Sequence, residues 1–154
     1  MQIYVSSGTG SGPTMLAAFD AALIAAGIGN SNLLPLSSAI PARSTVVRRS
    51  APGNQADWGK RLYVVLAEQR ESELGLEAWA GLGWAQDPEG RGLFVEHFGG
   101  SRQVVERLIE SSLTAMTQSR QVKLGTIECE IAGVTCRSEP VCAVVAARYL
   151  VDPW

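Results

Sequence analysis

The sequence predicts an α+β domain in which stacked sheets carry helices on their outer faces. Three observations lead there. Two stretches have helical periodicity, whereas seven or eight short apolar runs bounded by turn residues read as strands. No internal repeat and no linker interrupts the 154 residues, which suit a single domain over 1–154. Two helices cannot cover so many strands in one layer, so the strands must divide between packed sheets.

Taken in order, IYVSS (3–7) reads as a short strand and GTGSGPT (8–14) as a loop. MLAAFDAALIAAG (15–27) is a helix with Leu16, Phe19, Leu23 and Ile24 as its apolar positions. Pro13 suits its first turn and Gly27 its C-terminal stop. NLLPLSS (32–38) and STVVRR (44–49) are strands on either side of a serine turn, and 50–60 is a loop by composition. Strands follow at 61–69, 75–86 and 92–98, separated by RESEL and DPEGR. The second helix runs over 101–120, with Ser101 as its cap and Val105, Leu108, Ile109, Leu113 and Met116 on one face. Strands at 122–133 and 140–150 complete the chain.

Composition excludes several function classes. With 46% hydrophobic and 18% charged residues, the chain can bury a core and is not disordered. A net charge of −2 leaves no basic footprint for nucleic acid. No apolar run approaches the roughly 18 residues of a membrane helix, and no signal peptide is evident. Cys129, Cys136 and Cys142 match no zinc spacing, and a lone histidine cannot make a metal site, so no metal is expected. Free thiols fit a reducing cytoplasm.

Four features could carry chemistry. GTGSGPT precedes a helix as a phosphate loop would, but it has no lysine, and its G-x-G-x-G spacing is not that of a dinucleotide loop. Asp20 stands one turn from both Leu16 and Ile24, either at a surface rim or waiting for a cationic ligand. In GLFVEHFGG, alternation sets Phe94, Glu96 and Phe98 on one face and Val95 and His97 on the other. A carboxyl enclosed by aromatics keeps its proton more readily, so Glu96 is either an edge residue or a proton donor. His97 reads as structural. The fourth feature is Ser37-Ser38, at the end of an apolar strand. A serine hydrolase needs a histidine base and favours a G-x-S-x-G elbow, which is absent. The alternative is internal: Ser38 Oγ attacks the Ser37 carbonyl, and elimination from the resulting ester cuts the chain.

The stretch GTGSGPTMLAAFDAALIAAGIGNSNLLPLSSAIP resembles the N-terminal region of pyruvoyl-dependent arginine decarboxylases. The match rests on Phe19, Asp20, Ala22, Leu23, the run Ala26–Asn30, Asn32, Leu33, Ser37, Ser38 and Pro41. GLFVEHFGG and VCAVVAARYLV are similar to later strands of that family. The resemblance implies a four-layer αββα sandwich and a precursor that cleaves itself between Ser37 and Ser38. It would yield a β chain of residues 1–37 and an α chain of residues 38–154. Ser38 would become a covalent pyruvoyl group, the family's cofactor. Glu96 would be the proton donor, and Asp20 would receive the guanidinium of arginine. Asn32, Gly29 and Leu23 would complete the substrate site. The product would be agmatine. The αβ protomers would form a homotrimer, or a dimer of trimers, with active sites between subunits.

Overall fold

The computed structural model describes residues 1–49 and 55–154. The strands are β1 (Gln2–Ser11), β2 (Asn32–Pro35), β3 (Ala39–Ile40), β4 (Thr45–Arg48), β5 (Arg61–Glu71), β6 (Glu77–Gln86), β7 (Gly92–Gly99), β8 (Glu128–Thr135) and β9 (Val141–Asp152). The helices are α1 (Met15–Ala25) and α2 (Arg102–Arg120), and a 3-10 turn covers Gln55–Asp57. The rest of the loop expected at 50–60 includes 50–54, which lie outside the described residues.

One sheet has five strands in the order β2-β5-β9-β1-β4, and the other has four in the order β3-β7-β6-β8. Ile3, Val5, Val65, Val145, Leu82, Trp84 and Phe94 fill the space between the two sheets. Ala18, Ala22 and Ala26 of the α1 segment pack on Leu62, Val64 and Val144 of the five-stranded sheet. Val105, Ile109 and Leu113 of α2 pack on Leu93 and Val95 of the four-stranded sheet. The layers are therefore helix, sheet, sheet, helix: the four-layer αββα sandwich. The central strands alternate their side chains between the central core and a helix-covered face.

Several local expectations change. GTGS (8–11) is not a loop but the end of β1, paired with β9 as far as Ser11↔Val141. A Cβ on Gly8 or Gly10 would collide with the α1 backbone at Ala22, so these glycines let helix and strand approach closely. This contact also decides which face α1 buries. The small-residue face goes inward, while Leu16 and Ile24 stay 68% and 59% exposed. Thr14, not Pro13, begins the helix: its hydroxyl accepts from the Ala17 N–H. Gly27 adopts φ +78° just past the C-cap, as a stop residue should. Ser101 caps α2 as expected, but Leu108 of the anticipated apolar face is 39% exposed. The strand expected at 122–133 starts only at Glu128, and β3 is too short to have been seen in the sequence.

Candidate active site

Ser37 and Ser38 lie where the chain leaves one sheet for the other. β2 pairs in parallel with β5 at the edge of the five-stranded sheet, and Leu36 extends that contact by donating to the Val64 carbonyl at 2.9 Å. Two residues later the chain enters β3, which pairs with β7 at the edge of the four-stranded sheet. The paired serines are the step between these edges.

That step is a tight turn. The Ala39 N–H donates back to the Ser37 carbonyl at 2.8 Å, an i→i+2 bond, and Ser38 keeps a negative φ. This is an inverse γ-turn centred on Ser38. The Phe94 N–H donates to the Ser38 carbonyl at 2.7 Å. The Ser38 hydroxyl donates to Glu96 Oε2 at 2.9 Å. The hydroxyl thus has a base on it, and the neighbouring carbonyl has a donor on its oxygen.

Glu96 reaches Ser38 because β7 alternates. Phe94 is fully buried between the sheets, and Glu96 shares its face, one residue pair further along. The aromatic enclosure expected around Glu96 is one-sided, since Phe98 is 60% exposed and Glu96 itself is exposed. Val95 and His97 turn to the opposite face, as the alternation predicts. His97 Nε2 lies 2.8 Å from Ser112 Oγ on α2. Burial lowers the His97 pKa, and the charge of Glu96 opposes that shift. The one histidine is therefore bonded away from the serines, and a serine–histidine hydrolase pair does not form.

Sequence reasoning missed Tyr149. Its hydroxyl donates to the Ala39 carbonyl at 3.1 Å, and its ring meets the Phe94 ring edge-on at 6.2 Å. Burial pushes its pKa up to about 12. It sits in an apolar run that reads only as core strand, and nothing local in the sequence links it to a turn more than a hundred residues earlier.

The remaining expected residues form a second group. Asp20 is exposed on α1 and has no hydrogen-bond or ion-pair partner among the described residues. It lines an open, mainly apolar recess with Leu16, Phe19 and Leu23. The Arg70 guanidinium lies over the Phe19 ring at 4.2 Å, so a cation already rests on one wall's aromatic face. Asn32 opens β2 and donates from Nδ2 to the Gly59 carbonyl at 2.8 Å. Gly29 packs so closely on Ile24 that a Cβ would overlap it. Within the chain, Ser37, Ser38 and Glu96 come together, while Asp20 and Leu23 lie one layer away, on the outside of the five-stranded sheet. Among the described residues no side-chain cluster could hold a metal ion, and no helix is long and apolar enough to cross a membrane.

Residues 2–152 match the family described as pyruvoyl-dependent arginine decarboxylase. A protein of that name from Thermococcus kodakarensis is 31% identical over 144 residues, 92% of this chain and 89% of the relative. One from Pyrococcus abyssi is 35% identical over 138 residues, 88% of this chain and 85% of the relative. One from Halobacterium salinarum is 40% identical over 95 residues, and there the match spans 62% of this chain and 59% of the relative's length. The chain belongs to the pyruvoyl-dependent arginine decarboxylase family.

Proposed function

We propose that this chain is a precursor that cuts itself between Ser37 and Ser38, and that the mature protein decarboxylates L-arginine to agmatine and CO2. The observation that carries the reading is the serine turn. A hydroxyl with a carboxylate acceptor adjoins a carbonyl whose oxygen is already hydrogen-bonded.

The cleavage follows from these contacts. Glu96 takes the proton from Ser38 Oγ as the oxygen attacks the Ser37 carbonyl carbon. Negative charge develops on the Ser37 oxygen, where the Ala39 N–H is already aimed. The C–N bond breaks, the Ser38 nitrogen takes up a proton, and an ester replaces the peptide bond. Loss of the Ser38 α-proton then expels the Ser37 carboxylate, leaving residues 1–37 as the β chain. The dehydroalanine at residue 38 tautomerises to an imine, and water releases ammonia from it. A pyruvoyl group remains on the α chain, residues 38–154.

The residues around Ser38 fit that group. When present, a pyruvoyl group supplies a ketone that captures an amine and a conjugated carbonyl that accepts electrons. The Phe94 N–H bonds the carbonyl oxygen of residue 38, the atom on which such electron density would collect. Glu96 is in reach of the residue 38 side chain and would hold the proton that replaces CO2 on the substrate carbon. Asp20 would accept the guanidinium through two parallel N–H bonds, with Leu23 beside it as apolar wall. Asn32 and Gly29 would shape the space near the start of β2.

Because Asp20 and Ser38 occupy different layers of one protomer, the complete site needs α1 of one copy against the serine turn of another. A cyclic homotrimer of αβ protomers, alone or paired as a hexamer, satisfies this with one repeated contact. The reading places the protein in the cytoplasm, where free Cys129, Cys136 and Cys142 remain reduced.

The test is release of CO2 from carboxyl-labelled arginine with stoichiometric agmatine. Activity on arginine that is lost on reductive capping of the ketone with borohydride supports the proposal. Release from another amino acid, and none from arginine, would keep the cofactor and replace the substrate.

A further inference from the structure

The carbonyls of Ser37, Ser38 and Ala39 are consecutive, and each has one donor: the Ala39 N–H, the Phe94 N–H and the Tyr149 hydroxyl. The first lies inside the turn. The other two come from opposite sheets, Phe94 from β7 and Tyr149 from β9. The turn is thus clamped between the two layers.

We propose that Tyr149 is a positioning residue for chain cleavage, holding the serine turn in its reactive form through the Ala39 carbonyl. The inference rests on the self-cleavage reading and adds a residue to it. β3 offers little hold of its own, with only the pairs Ala39↔Leu93 and Ile40↔Gly92. The Ala39 N–H shares a peptide plane with the Ser38 carbonyl that Phe94 holds, and Tyr149 holds the next plane; if that plane is released, the Phe94 contact alone must keep the Ala39 N–H on the Ser37 oxygen. The register of β9 against β5 shifts at this point: Val64 pairs with Arg148 and Tyr63 with Leu150, which leaves Tyr149 unpaired on β5. Alternation along β9 sets Tyr149 on the inner face with Val145 and Ala147, and there its ring meets Phe94, whose own N–H holds the Ser38 oxygen. A phenol is protonated at neutral pH, and burial pushes this one's pKa further up, so it remains a donor. Tyr149 also belongs to β9, which lies between β5 and β1 in the five-stranded sheet. The turn is therefore fully held only after that strand has docked, which ties cleavage to assembly of this sheet.

The experiment follows newly synthesised chain by denaturing mass spectrometry over time, in the parent, Tyr149→Phe, Tyr149→Leu and Ser38→Ala. Loss of one neutral hydrogen bond should slow cleavage of Tyr149→Phe by about 3- to 10-fold. A packing role predicts normal cleavage with phenylalanine and slow cleavage only with leucine, and that result overturns the proposal. Amide exchange in uncleavable Ser38→Ala, with and without Tyr149→Phe, reads the turn directly. Faster exchange at Ala39 with an unchanged melting temperature supports the clamp, and unchanged exchange overturns it. A parent chain that never cleaves, or a Ser38→Ala chain that does, removes the self-cleavage reading itself, whatever the Tyr149 variants do.

Discussion

The Ser38 hydroxyl donates to the Glu96 carboxylate across 2.9 Å, joining the step between the two sheets to the strand that receives it. On the proposed reading the contact would bring a nucleophile and a base together before cleavage. Replacing Ser38 by alanine removes the attacking oxygen, so the chain should remain whole and inactive. Ser38→Cys should still cleave, but more slowly, since a thiol can undergo the same acyl shift. Gel analysis of freshly purified variants reads both outcomes.

On the proposed reading the same bond would give Glu96 two tasks, before and after cleavage. Glu96→Gln keeps the size of the side chain but can neither take nor supply the proton. Arginine turnover of any cleaved material should fall by about 10²–10⁴-fold. Cleavage should slow as well, an effect that the sequence, which offers Glu96 as an edge residue or a proton donor, does not anticipate. Single-turnover CO2 release and a cleavage time course separate the two. A variant within a few-fold of the parent in both would make Glu96 structural.

Asp20 stands on an exposed, largely apolar side of α1 without a partner among the described residues. If it reads the distal charge of the substrate, Asp20→Asn should cost roughly 1.5–3 kcal/mol in kcat/KM for arginine. Citrulline, similar in length but neutral, should be affected far less. The informative quantity is the arginine-to-citrulline ratio in parent and variant. An unchanged ratio would leave the guanidinium without its proposed receiver.

Gly10 tests the packing that sets α1 in place. Its missing Cβ makes room for the α1 backbone at Ala22 and Ala18. Gly10→Ala should overpack this contact and destabilise the fold by about 1–3 kcal/mol. Urea unfolding in the Ser38→Ala background measures this without interference from cleavage.

The fold class was legible because helical and strand periodicities divide the chain cleanly. The alternation in GLFVEHF also placed Phe94 and Glu96 together, opposite Val95 and His97. The error in α1 has a physical cause. Apolar periodicity ranks Leu16 and Ile24 above alanines, but Gly8 and Gly10 on the facing strand demand small partners, and the larger residues are left outside. The glycines read as a loop for the same reason: their close approach to a helix is a tertiary fact. Ser37 and Ser38 were visible as an oddity, and the resemblance supplied their meaning. The γ-turn, the Phe94 N–H and the Tyr149 hydroxyl were not visible, because each depends on strands distant in sequence. Asp20 and Ser38 were expected in a site between subunits, and within one chain they lie in different layers.

Denaturing mass spectrometry of the purified parent protein tests the central claim most directly. The account predicts two fragments in equal amounts, residues 1–37 with a free C-terminal carboxylate and residues 38–154 beginning with a pyruvoyl group. A single intact chain with an unmodified Ser38 would contradict it.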